Sequence, residues 1–202
     1  MKKGKRGQRE KGTDLFDLKV LGVAMIMSGG FGQLGKFRFW CDESHVSDCR
    51  WLRVHKSDFA GVNDRAELAG VRSIVLEAME PRGARTLYAM LGLHYLAEAG
   101  EFRVNVVNHS PNSAVYEGSL IDDFEVAHFG LPANYAAASV AGMKRGLADT
   151  VGADGGRVDI CCAAYGSVSS SEPFFEKLGF TLAHLLRLSC DDISEGLIGS
   201  YL

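Results

Sequence analysis

The stretch Arg157–Gly166 constrains this chain more than any other. Its residues alternate as a strand does. Val158, Ile160, Cys162 and Ala164 fall on one side, and Asp159, Cys161, Ala163 and Tyr165 on the other. Strand alternation also places the adjacent Cys161 and Cys162 on opposite sides. On that basis they do not easily chelate one metal together, and one of them can line a pocket beside Asp159 or under the helix. The competing reading treats both as small buried hydrophobes, a common fate of free cysteine.

Around this strand the chain divides by period. Residues 1–13 hold Lys2, Lys3, Lys5, Arg6, Arg9 and Lys11 among glycines, and read as a disordered basic tail. Residues 14–190 read as a single α+β domain, and 191–202 as a frayed C-terminal tail. Lys36–Trp40 alternates like a half-buried strand. Val71, Ile74, Val75, Ala78 and Met79 have helical spacing, with Asp64 and Glu67 as a capping box and Glu80-Pro81-Arg82-Gly83 as the stop. Leu87, Met90, Leu91, His94 and Tyr95 form a second stripe, predicting a helix over 84–99. Next come strands at 101–108, 114–121 and 124–131, the first two joined as a hairpin. A helix over 135–151 is capped by Asn134. A short segment at 173–178 leads to a last strand at 180–188. The expected fold is α+β, with a helical N-terminal half and an antiparallel β-meander packed with one long helix.

Charge and cysteine usage narrow the function. The net charge is −3 over 202 residues, with a pI near 6.1, so no global field recruits nucleic acid. The apolar run Val20–Met27 is too short to span a bilayer. An odd count of five cysteines without a convincing export signal predicts reduced thiols and a cytoplasmic protein. Cys41, His45 and Cys49, spaced by four, would share a helical face with Asp48 or His55 and suit zinc. The loop-forming residues between them and the absence of paired C-x-x-C spacing weigh against it, and no metal is expected. Neither a nucleophile elbow, a Walker loop nor H-E-x-x-H occurs.

The run Cys161-Cys162-Ala163-Ala164-Tyr165-Gly166, the helix start Asn134-Tyr135-Ala136-Ala137, and the segments Val62–Leu68 and Pro81–Gly92 resemble the 4-vinyl reductase domain family, bacteriochlorophyll 4-vinyl reductase-like proteins in particular. The resemblance runs from about Val20 to Phe175. It implies a pocket for a small hydrophobic ligand, in photosynthetic members a tetrapyrrole of bacteriochlorophyll biosynthesis. The role implied is that of carrier or accessory protein. Asn134, Tyr135, Asp159, Cys161 and Cys162 would be its polar contacts. Some relatives hold zinc at positions matching Asn134, Asp159, Cys162 and Ser170. Here two of the thiolates of that set are missing, so no tight zinc site is expected. The alternative is a divergent acetyl-CoA-dependent N-acetyltransferase, which Pro173–Phe180 resembles as a closing helix-to-strand motif. Against it, Ala136–Ala141 lacks the glycine-rich pyrophosphate loop, and Phe175 stands where a tyrosine acid would. Whether a reaction is catalysed stays open at this point, as does a homodimer.

Overall fold

The computed structural model describes residues 25–42, 71–98, 101–106, 114–149 and 155–202. The basic tail, His45, Cys49, His55, Asp64, Glu67 and His109 lie outside them, as does the start of the apolar run at Val20.

The N-terminal half of the described chain is sheet, not helix. Strands β1 (Met25–Phe31), β2 (Gly35–Asp42), β3 (Val71–Arg82) and β4 (Arg85–Ala97) form an antiparallel meander. Both expected helices are therefore strands, and the helical N-terminal half is overturned. The cause is visible in β3. Ile74, Leu76 and Ala78 are buried on one face, and Val75, Glu77 and Met79 on the other. A segment buried on both faces is an almost continuous apolar run, which has no period to separate strand from helix. Glu80-Pro81-Arg82-Gly83, read as a helix stop, instead leads into the two-residue turn between β3 and β4.

The sheet continues from β4 to β8 (Gly156–Gly166), antiparallel. The far edge of β8 is shared. Its first half pairs in parallel with β5 (Arg103–Val106), and its last residues pair antiparallel with β7 (Ala127–Phe129). β6 (Val115–Tyr116) pairs with β7. The expected hairpin between 101–108 and 114–121 is thus absent, because β5 lies along β8 instead.

One sheet face carries Phe37, Phe39, Ile74, Leu76, Leu91, Leu93, Val158 and Ile160, and is covered by helices. Helix α1 (Ala133–Ala148) begins after Pro132, with no side-chain cap from Asn134. Helix α2 (Glu172–Leu185) runs straight through the segment expected as a last strand, so Pro173–Phe180 is not a helix-to-strand motif. Gly179 is a point of contact between α1 and α2. A Cβ there would meet Ser139 O at 2.3 Å, and one at Gly142 would meet Glu176 O at 1.9 Å. The two helices cross backbone to backbone where both lack side chains.

The C-terminal residues do not fray. A 3-10 turn at Cys190–Asp192 leads into α3 (Glu195–Tyr201), which is capped by Ser194 and buries Ile198 in the core. The Tyr201 ring stacks on His184 at 4.6 Å. Cys41 of β2 and Cys190 form a disulfide across 149 residues of sequence. The expectation that all five cysteines are reduced is corrected at these two, which come from opposite ends of the chain and meet in the core.

Closing so long a loop removes conformational freedom from the unfolded chain, typically about 2–5 kcal/mol of stabilisation. Non-reducing peptide mapping should therefore recover Cys41 and Cys190 in one cross-linked species. Reduction should lower the urea midpoint. An unchanged midpoint after verified reduction would show that the bond adds nothing to stability.

Candidate ligand-binding face

The second sheet face holds the chemistry. Arg38 and Trp40 of β2, Ser73, Val75 and Glu77 of β3, and Tyr88, Met90, Gly92 and His94 of β4 project from it, by alternation and cross-strand register. The decisive feature is in β8. Gly92 pairs with Cys162 but its neighbour Leu93 pairs with Ile160, so Cys161 is an extra residue on β8, a β-bulge. A bulge shifts alternation by one position. Before it, Asp159 and Cys161 share the face of His94. After it, Cys162 and Ala164 do. The expected split of the two cysteines across the sheet is thus overturned: both thiols lie on one side.

Gly92, opposite the bulge, makes room for them. A Cβ there would stand 2.4 Å from Cys162 Sγ and 2.8 Å from a Val75 methyl. Cys161 Sγ donates to the Gly92 carbonyl at 3.7 Å, and the Cys162 thiol and the His94 imidazole lie close enough to act on its titration. The imidazole is held in turn, its Nδ1 lying 2.7 Å from Ser73 Oγ. Both cysteines are free thiols and nearly buried, at 4% and 9% exposure. The hydrogen bond with Cys162 and burial push the Cys161 thiol well above its usual pKa, against the pull of His94. Cys161 is therefore a neutral thiol at pH 7.

Asp159 borders this cluster but is engaged elsewhere. Its Oδ1 accepts from Asn105 Nδ2 at 2.8 Å and its Oδ2 from Arg157 Nε at 3.0 Å. Asn134 and Tyr135 are not part of the cluster. Asn134 Nδ2 donates to Glu172 Oε1, joining the starts of α1 and α2. Tyr135 stacks on Phe175 at 4.7 Å and donates to the Ser170 carbonyl. Both belong to the helix-covered side, so the sheet separates them from Asp159, Cys161 and Cys162. Among the described residues, no group of three or more His, Cys, Asp or Glu is arranged to hold a metal ion. A shallow recess of about 280 Å³ lies apart from the thiols, between Phe102 and Val104 on one side and Lys144, Leu147 and Ala148 on the other.

Sequence reasoning missed Glu77. Its side chain is fully buried on the second face. Oε1 accepts from Tyr88 Oη at 3.0 Å and from Leu120 N at 2.8 Å, while Arg38 Nη1 stands 3.4 Å from Oε2. Arg38 also donates to the Gly118 carbonyl at 2.6 Å. The pair thereby fastens the 117–122 loop to the sheet, with Ile121 plugged into the apolar cluster of Val75, Met79, Tyr88, Met90 and Cys162. A lone acid inside an apolar run was the available signal, since an acid buried there needs dedicated donors.

Two outcomes test this geometry. Burial pushes the Glu77 carboxyl above its ordinary 4.5, outweighing the Leu120 amide and the Arg38 charge. The folded state therefore holds this proton longer than the unfolded chain does. Its contribution is complete below pH 4.5 and is lost as pH rises through the raised folded value. Stability of the native chain relative to Glu77→Gln should fall across that window, and a pH-independent difference would contradict it. Separately, Gly92→Ala should cost about 1–3 kcal/mol by overpacking. Combined with Cys162→Ala it should cost less than the sum of the two by more than about 0.5 kcal/mol. Strict additivity in urea unfolding would show that the two positions do not touch.

No family model matches the chain, and no curated protein matches it.

Proposed function

We propose that the chain binds a small, mostly apolar ligand on the sheet face that carries Cys161, Cys162 and His94, and serves as a carrier or accessory protein for it. One observation carries this reading: the bulge gathers two thiols and an imidazole on one face, next to apolar Val75 and Met90. A few oriented polar groups in apolar surroundings are the usual make-up of a small-molecule site. These groups are held by neighbours: His94 by Ser73, Cys161 by the Gly92 carbonyl, and Cys162 in the space over Gly92. Asn134 and Tyr135 are dropped from the ligand contacts, and Asp159 is kept at the rim.

The tetrapyrrole form of this proposal, with its place in bacteriochlorophyll biosynthesis, rests on the sequence resemblance alone; the cytoplasmic placement rests on the odd cysteine count, which the Cys41–Cys190 disulfide weakens. Among the described residues, no helix is long and apolar enough to cross a membrane.

Titration with protochlorophyllide or protoporphyrin tests it. The expected result is a saturable absorbance shift, weakened at least about tenfold, or about 1.4 kcal/mol, by His94→Ala or Cys162→Ala in variants that keep the wild-type circular dichroism. Bound porphyrin should also slow alkylation of Cys161 and Cys162. No shift with either porphyrin ends the tetrapyrrole form. A shift that both variants leave untouched moves the ligand off this face.

A further inference from the structure

We propose that Cys161 and Cys162 together form a dithiol site for an uncharged trivalent arsenical. This rests on the reading of the second face as a binding surface and names the chemistry of its polar end.

The geometry selects this ligand class stepwise. In a regular strand, adjacent side chains point to opposite faces, and a Cys-Cys pair cannot reach one atom. The bulge removes that restriction and brings both thiols to Gly92, with Cys161 Sγ 3.7 Å from its carbonyl oxygen and Cys162 Sγ in the space its missing side chain leaves. The position facing them is Gly92, so no side chain from β4 intervenes. The donor set is therefore two sulfurs. Oxygen is not added to it, because both Asp159 oxygens are taken by Asn105 and Arg157. Two sulfurs without further ligands do not make a tetrahedral zinc site. They do satisfy a soft centre that accepts two thiols at once.

Charge points the same way. A monovalent soft cation held by two thiolates leaves a net negative charge in the site, which burial opposes. Trivalent arsenic does not. An organoarsenic oxide, R–As=O, reacts with the two thiols to give R–As(S–Cys161)(S–Cys162) and one water. Two As–S bonds form, the As=O bond breaks, and both thiol protons leave on its oxygen. Arsenic stays trivalent and no electrons are exchanged. His94, fixed by Ser73 and close to Cys161, is placed to take the first thiol proton and return it to the departing oxygen.

Phenylarsine oxide is the probe, used on the full chain with the Cys41–Cys190 disulfide intact. Intact-mass analysis should show one phenylarsenic adduct, stable to excess monothiol and removed by ethanedithiol. Peptide mapping should place it on the segment holding Cys161 and Cys162. Cys161→Ser and Cys162→Ser should each lose the adduct, while Cys49→Ser should keep it. Retention in either of the first two variants overturns the proposal, as does an adduct mapped elsewhere on the wild-type chain. So does a folded wild-type chain that takes up none while both thiols titrate after unfolding. The mapping decides the matter even where a serine variant fails to fold. An adduct without porphyrin binding keeps this site and ends the tetrapyrrole form; porphyrin binding without an adduct does the reverse.

Discussion

The arrangement on the second sheet face depends on one extra residue in β8. Without Cys161 as a bulge, β4 and β8 would pair in unbroken register, and every side chain after Cys161 would change face. Ala163 and Tyr165, which now meet the helix-covered core, would turn toward the loop, and Ala164 would leave it. The bulge lets β8 serve two different surroundings along its length. Its first half lies between β4 and β5, and its end between β4 and β7. The offset falls at the cysteines, between the residues of β8 that pair with β5 and those that pair with β7.

Gly92 and the buried Glu77 keep that offset in place by different means. Gly92 acts by absence, since any larger residue would collide with Cys162 and Val75. Glu77 acts through two hydrogen bonds to one carboxylate oxygen and an ion pair at the other. It holds Leu120 and, through Arg38, Gly118, and so closes the loop over the apolar cluster that contains Cys162. Burying this carboxyl is unfavourable, and the Tyr88 hydroxyl and Leu120 amide offset part of that cost. On the other face, the α1–α2 crossing is tight for the same reason as Gly92: Gly142 and Gly179 let backbone meet backbone.

The legible parts of the sequence were those with a clear period or clear punctuation. The strand at 157–166 and the helix near 135–148 are where alternation and helical stripe place them. Residues 71–97 were misread because β3 and β4 are buried on both faces, which erases the alternation that marks a half-buried strand. The β-branched Val71, Ile74 and Val75 were the remaining clue. Phe180–Leu188 was misread because Gly179 looks like a helix stop, whereas its role is set by a second helix that sequence order does not show. Of the candidate site, Cys161, Cys162 and Asp159 were found from residue type. That the two thiols share a face was not legible, because a bulge is a property of the pairing between β4 and β8 and not of either strand alone. His94 was singled out, but as a core histidine on a helix. Its partners Ser73 and Cys161 are 21 and 67 positions away, and only the register brings them to it.

The remaining issue is whether the cysteines serve packing alone. Space over Gly92 demands a small residue at 162, and a bulge in a buried strand favours a small one at 161. Alanine meets both demands, and the strand uses alanine at the next two positions, Ala163 and Ala164, each nearly or fully buried. Packing therefore explains small side chains but not sulfur. Nor does it explain a line from Ser73 through His94 to Cys161, which places three polar side chains in a largely apolar face. A fold under no demand beyond stability would gain by replacing such a line with aliphatic residues. Packing alone gives no account of that line, which lies opposite a glycine on the face away from the helices.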